Sequence, residues 1–226
     1  MSMTAREGGR TAVVLGATGL VGGHCLELLL RDGAWSRVTV LARRSLGRTQ
    51  PRLAERVADF GRLGDHADAF ATDDVFCCLG TTIKQAGSQE AFRRVDHDYV
   101  LRAAQLAHER GARRFLLVSA LGANAGSRVF YNRVKGEAER DVLALAFEGV
   151  ALLRPSLLLG RRSEHRAGEA FAQMAAPLVS PLLVGPLRKY RAIPAAAVAR
   201  AMVRLAKEGV TGVRVVENDE IATLGA

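Results

Sequence analysis

A short apolar run, Thr11 to Leu15, passes without a break into Gly16-Ala17-Thr18-Gly19-Leu20-Val21-Gly22, and then into an amphipathic stretch carrying Cys25, Leu26, Leu28 and Leu29. Strand, glycine turn and helix in that order leave few folds open. Gly16 permits the tight turn, Gly19 lets a pyrophosphate approach the backbone, and Gly22 allows a helix to pack closely on a sheet. The amides of Leu20 and Val21 then face the phosphates from the positive end of the helix, with Thr18 beside them. The context, more than the glycines alone, makes this a dinucleotide site.

The rest of the chain continues the pattern. Apolar segments rich in β-branched residues alternate with helical ones, the signature of a parallel sheet covered on both faces. Strands are expected at Thr11–Leu15, Arg37–Ala42, Arg56–Asp59, Val75–Leu79, Phe115–Ser119, Val150–Arg154 and Val213–Val216. Helices are expected to begin near Gly19, Arg62, Ser88, Phe130, Gly168 and Pro194. Right-handed crossovers make this an α/β, doubly wound sheet. At 226 residues the chain reads as a single domain. A loop-rich insertion over about 160–193, with Pro177, Pro181 and Pro186 among its glycines and charges, lies on the ligand side.

An acid commonly ends the second strand of such folds and binds the adenosine ribose. Here Val38 to Ala42 ends in Arg43-Arg44. Guanidinium groups bind a 2′-phosphate through charge-assisted hydrogen bonds, so the expected cofactor is NADP(H).

Tyr131-Asn132-Arg133-Val134-Lys135 opens a helical segment, and the i, i+4 spacing sets Tyr131 and Lys135 on one face, a turn apart. A phenol, ordinarily with a pKa of about 10, is a poor proton donor or acceptor at neutral pH, and a nearby ammonium favours its ionised form. Lys135 would also hold the nicotinamide ribose.

Charge excludes less than it suggests. The net charge of +9 comes from 28 Arg and four Lys strewn along the chain as singles and doublets, with few aromatics to stack bases, which argues against nucleic acid. No apolar run reaches the roughly 18 to 20 residues of a membrane span. The N-terminus lacks a signal-peptide pattern, and Cys25, Cys77 and Cys78 read as buried packing residues, so cytoplasmic residence is expected and no metal site. His24, His97, His108 and Trp35 lack partners at ligand spacing and read as structural or solvated. Asp96 has two readings, a residue behind the site or a solvated helix acid.

Taken together, Gly16-Ala17-Thr18-Gly19, Arg43-Arg44, Asp59-Phe60, Cys77-Cys78-Leu79-Gly80-Thr81-Thr82, Arg94 to Val100, Tyr131 to Glu137 and Arg154-Pro155 resemble the short-chain dehydrogenase/reductase superfamily. The resemblance is to its atypical branch containing the Tat-interacting oxidoreductases, with a Rossmann fold, and it covers nearly the whole chain. It implies that Asp59 and Phe60 contact the adenine, and that Leu79 and Gly80 contact the adjoining ribose and nicotinamide side. Pro155, Ser156, Leu157 and Leu158 would line the nicotinamide pocket, and Arg166 of the insertion would also touch the cofactor. It makes Tyr131 and Lys135 catalytic.

One departure matters. Related reductases carry two small hydroxyl residues after the fifth strand, the second polarising the substrate carbonyl, whereas here Ser119 is followed by Ala120. Either Ser119 takes that role or the hydroxyl is missing, at a cost of about 10²-fold or more in rate. The leading expectation is an NADPH-dependent oxidoreductase acting on a carbonyl-type small molecule. The alternative is an NADP(H)-binding redox sensor that acts through a protein partner with little turnover. A nucleotide-sugar epimerase or dehydratase would need a larger C-terminal region. Arg188, Tyr190 and Arg191 read equally as substrate contacts or as a charged loop.

Overall fold

A computed structural model describes residues 9–160 and 185–226. Seven parallel strands form the central sheet: β1 (Arg10–Leu15), β2 (Trp35–Ala42), β3 (Leu53–Val57), β4 (Asp74–Cys77), β5 (Arg114–Val118), β6 (Gly149–Arg154) and β9 (Gly212–Glu217), in the order β3-β2-β1-β4-β5-β6-β9. A separate parallel pair, β7 (Leu158–Leu159) and β8 (Ile193–Pro194), lies past the end of β6.

One face of the sheet is covered by α1 (Leu20–Arg31) and α6 (Ala195–Glu208), with α7 (Asn218–Leu224) packed on α6. The other carries a 3₁₀ segment (Phe60–Phe70), α4 (Tyr99–Glu109) and α5 (Phe130–Leu143). Two short helices, α2 (Ile83–Ala86) and α3 (Gln89–Arg93), lead into a π turn at Arg94–Asp98 and then α4. The doubly wound expectation holds because alternate strand side chains feed two cores, Ala12, Val14 and Phe76 toward one and Val13, Leu15 and Val75 toward the other.

Boundaries move for local reasons. The expected Arg56–Asp59 strand instead pairs from Leu53, opposite Val38, and stops at Val57. There Asp59 turns its carboxylate to cap the Gly61 amide at 2.9 Å, starting the 3₁₀ segment. That segment replaces the helix expected near Arg62, because Arg62 and His66 depart from helical geometry. The fourth strand runs from Asp74 to Cys77, not Val75 to Leu79. Its partner β1 turns away at Gly16, so the Cys78 amide makes the last bond, to the Leu15 carbonyl at 2.9 Å, and Leu79 lies outside the ladder. Ser88 caps α3 through the Ala91 amide, 3.0 Å away, where a helix start was expected. The start expected near Gly168 lies outside the described residues.

Trp35, read earlier as structural or solvated, is fully buried and donates its indole N–H to Asp74 at 2.9 Å. Asp74 also meets Arg114 Nε at 2.5 Å, its register neighbour on β5. Burial holds the Asp74 carboxyl above the ordinary aspartate range, with Arg114 and Trp35 opposing only part of the rise. His97 is structural too: its two ring nitrogens lie 2.7 Å from Asp98 and 2.9 Å from Asp141, so it has partners on two elements.

The three cysteines are free thiols. Cys77 faces one core and is pushed up to about 12 by burial, while the thiols of Cys25 and Cys78 lie 3.8 and 3.9 Å from the Met202 sulfur in the other. Such thiols pack rather than react. Among the described residues no helix is long and apolar enough to cross a membrane, and no His, Cys, Asp and Glu cluster could hold a metal.

Candidate functional site

Parallel strands end on one edge of the sheet, so the residues that follow them are gathered there by topology alone. Gly16 follows β1, Arg43 β2, Asp59 β3, Leu79 β4, Ser119 β5 and Pro155 β6.

At the first crossover Gly16 adopts φ +81°, and a β-carbon there would stand 2.4 Å from the Cys78 carbonyl oxygen. A β-carbon at Gly22 would stand 2.2 Å from the Gly16 carbonyl oxygen. These two glycines close the turn. At Gly19 the space is open apart from Gly16 O at 3.2 Å. Gly19 is the N-cap of α1 and offers no side chain to its amides, and the first turn holds no acid. The amides of Leu20 and Val21 therefore keep their capacity for an anion, with Thr18 exposed beside them. Gly160, after β7, lies against Leu20, where a β-carbon would come within 2.9 Å of Cδ2.

Arg43 and Arg44 are exposed at the end of β2. Asp59 is exposed with one carboxylate oxygen engaged by Gly61, and Phe60 is buried against Tyr99, ring centroids 5.9 Å apart. The end of β3 thus offers a carboxylate and backbone, while the Phe60 ring serves the core.

The densest chemistry lies where α5 passes the ends of β4 and β5. Gly136 lets the helix approach, because a β-carbon there would fall 2.2 Å from the Ala125 nitrogen. Tyr131 is half-buried, its ring 5.3 Å from that of Phe92. One turn on, Lys135 is buried and its Nζ lies 2.8 Å from Asp96 Oδ1. The other carboxylate oxygen accepts the Thr81 amide at 2.9 Å. Burial is the largest influence on Lys135 and pulls its pKa down, yet Asp96 and Tyr131 together hold it above the ordinary lysine range. The reading of Asp96 as a solvated helix acid is corrected, for it is 1% exposed.

Leu79 is buried and Gly80 exposed in the loop that reaches Thr81. A β-carbon at Gly80 would stand 3.4 Å from Asp96 Oδ1 and 3.7 Å from Lys135 Nζ. The ion pair thus lies within van der Waals reach of the Gly80 position. Ser119 is buried, and its hydroxyl has no hydrogen-bond partner among the described residues. Ala120 beside it is buried too.

Beyond β6, Arg154 grips Glu139 of α5 through two hydrogen bonds, 3.0 and 2.6 Å, and reaches Glu217 of β9 at 3.2 Å. The pairing with Glu139, with Glu217 adding to it, raises the guanidinium pKa. Pro155 is buried, and its carbonyl accepts the Leu121 amide at 2.9 Å. The Ser156 amide donates to Asn218 at 2.9 Å, while its hydroxyl and the Asn218 amide group both donate to the Arg191 carbonyl. Leu157 is exposed and Leu158 opens β7. Arg166 lies outside the described residues. Asn218 and the Arg154–Glu139 clamp escaped sequence reasoning, since neither carries a spacing that marks it.

The comparisons with known proteins bear on the family and the fold. Residues 16–156 match a family model described as NAD(P)H-binding. Protein HTATIP2 of Rattus norvegicus is 38% identical over 221 residues, covering 96% of this chain and 89% of that protein. Mitochondrial protein FMP52 of Eremothecium gossypii is 39% identical over 157 residues, covering 70% of each. MoeE5, solved in complex with UDP-glucose and NAD, superposes with a TM-score of 0.70 at 19% identity, covering 96% of this chain and 81% of that one. UDP-glucose 4-epimerase of Thermotoga maritima gives 0.67 at 17%, covering 92% and 76%; at such identities these two speak to the fold alone. A parallel sheet with a closed glycine turn, the family match and the HTATIP2 and FMP52 relatives converge: this chain belongs to the NAD(P)H-binding family of Rossmann-fold proteins.

Proposed function

We propose that this protein is an NADP-dependent oxidoreductase of the short-chain dehydrogenase/reductase type that reduces a carbonyl-type substrate, with Tyr131 as proton donor. The observation that carries the reading is the half-buried Tyr131 one turn from a buried, charged Lys135, beside the loop that follows β4. The glycine turn fits a dinucleotide, because its closure leaves the α1 amides uncapped and without an acidic neighbour. When bound, the nicotinamide supplies the hydride.

The chain's own residues do the rest. Thr18 and the amides of Leu20 and Val21 hold the pyrophosphate, with Gly16, Gly19 and Gly22 shaping the turn. Arg43 and Arg44 select the 2′-phosphate, and Asp59 and the Phe60 backbone border the adenine. Leu79, Gly80 and Pro155 to Leu158 border the nicotinamide side, and Arg166 is kept as a contact from the insertion. Tyr131 gives its proton to the oxygen of the reduced carbonyl, and Lys135 steadies both that phenol and the ribose. Ser119 is the remaining hydroxyl able to donate to the developing charge, and a buried polar atom without a partner fits such a role.

A second reading, an NADP(H)-binding redox sensor acting through a protein partner, is favoured by buried Ala120, which leaves no second hydroxyl at that position. A panel of carbonyl compounds separates the two, followed as loss of NADPH absorbance with product identified. The enzyme reading expects turnover that falls about 10²- to 10⁴-fold in Tyr131→Phe, with NADPH affinity within a few fold. Retained turnover in that variant removes Tyr131 from the role. Tight NADPH binding with no substrate in the panel favours the sensor. Cytoplasmic residence also remains a proposal, because the FMP52 relatives are named mitochondrial. Cell fractionation decides it.

A further inference from the structure

We propose that Asp96 is a positioning residue of this centre, whose carboxylate holds the Lys135 ammonium and the Thr81 amide together and so fixes the catalytic helix to the loop after β4. The inference rests on the reading of Lys135 as the group that steadies the ribose and the phenol.

The argument is one of donors and acceptors. Two donors face Asp96: Lys135 Nζ at 2.8 Å from Oδ1, and the Thr81 amide at 2.9 Å from Oδ2. A carboxylate accepts both, whereas an amide side chain has one acceptor oxygen and would turn its NH₂ group toward a donor. The position therefore asks for an acid. Oδ1 is compensated through the ammonium charge, having no well-formed hydrogen bond among the described residues.

The ammonium in turn depends on the acid. The Lys135 side chain is 6% exposed and that of Asp96 0%. A cation so far from water keeps its proton only with a counter-charge beside it, since burial favours the neutral amine. Tyr131 and Cys77 are its other named ionisable neighbours, and neither supplies a resident carboxylate charge. The glycine above the pair completes the device. With no side chain at Gly80, the ammonium sits 3.7 Å below the place a β-carbon would fill, close enough for a ligand hydroxyl to enter where the side chain is missing.

The test reads the Lys135 charge directly, without needing turnover. The chain has four lysines, Lys84, Lys135, Lys189 and Lys207, so ¹³C-labelling at Cε gives a short spectrum, assigned with Lys135→Met. The Lys135 resonance is expected to stay that of a charged amine to above the ordinary lysine range, held there by Asp96. In Asp96→Asn, shown folded by circular dichroism, Lys135 should titrate at least about two pH units lower than it does in the original protein. NADPH affinity in that variant should follow the same curve, near the original at pH 6 and about tenfold weaker once the amine is neutral. An unmoved Lys135 titration overturns the proposal. A shifted titration with NADPH affinity independent of it leaves the pair standing and removes Lys135 from the ribose, which counts against the functional reading instead. Should Asp96→Asn fail to fold, Asp96→Asn with Lys135→Met, which removes both buried charges, is expected to fold. A double variant no more stable than the single one overturns the pairing.

Discussion

Two buried acid–base pairs stand at opposite ends of the same sheet, and they do different work. Asp74 and Arg114 begin neighbouring strands, are 0% and 4% exposed at their side chains, and are closed over by the Trp35 indole. Asp96 and Lys135 are as deeply buried at the end where strands stop, yet lie under a glycine loop. Burial and pairing are shared, so neither marks a functional site. The end of the strand and the missing side chain above the pair make the difference, because a ligand needs an approach that Trp35 denies at the other end.

The contrast breaks if the first pair turns out to matter for ligand binding. Asp74→Ala strands the Arg114 charge and one indole N–H in the core, and should cost about 3–5 kcal/mol of folding free energy in denaturant titration. Cofactor affinity of the folded fraction should stay within a few fold. At the other end the order reverses. Gly19→Val keeps an ordinary backbone geometry, since Gly19 has φ −84°, but places a branched side chain over the α1 amides. NADPH affinity should fall about a hundredfold or more, near 2.7 kcal/mol, while the thermal midpoint moves little. A folded Gly19→Val protein that still binds NADPH would show that the phosphates lie elsewhere.

The smallest effect sharpens the comparison to its edge. Arg43 and Arg44 are exposed, so replacing both with Ala should leave stability intact and NADH affinity nearly unchanged. The preference for NADPH over NADH should shrink about ten- to hundredfold, the value of a few charge-assisted hydrogen bonds. Equal affinities for the two cofactors in the original protein would remove the doublet from phosphate recognition.

What the sequence disclosed follows from how each feature is written. The tight turn after β1 is a backbone demand, and a backbone demand is spelled in glycines; hence the turn at Gly16, Gly19 and Gly22 was readable without a structure. Tyr131 and Lys135 were readable because a regular helix converts spacing into a shared face. Asp96 stayed open between a residue behind the site and a solvated acid, because a π turn shifts the helical phase at Arg94–Asp98, and periodicity assumes that the phase is kept. The β3 boundary slipped for a related reason. Asp59 was taken as the end of a strand when its side chain begins the next element, and a cap is a contact between two side-by-side residues that hydropathy does not record. Asn218 and Glu139 join the site through partners 62 and 15 residues away, a distance at which no local pattern speaks.

The π turn carries one more implication, for how this chain can vary. Within it consecutive residues, Asp96 and His97, both lie buried, the first at the ion pair and the second between Asp98 and Asp141. A turn with one residue fewer would restore the common helical phase and swing everything on its N-terminal side by about 100° about the axis. A single-codon deletion here would therefore be worse tolerated than most substitutions, even with Asp96, Lys135 and Tyr131 all retained. In this stretch the reading frame of the helix is guarded by chain length as much as by residue identity.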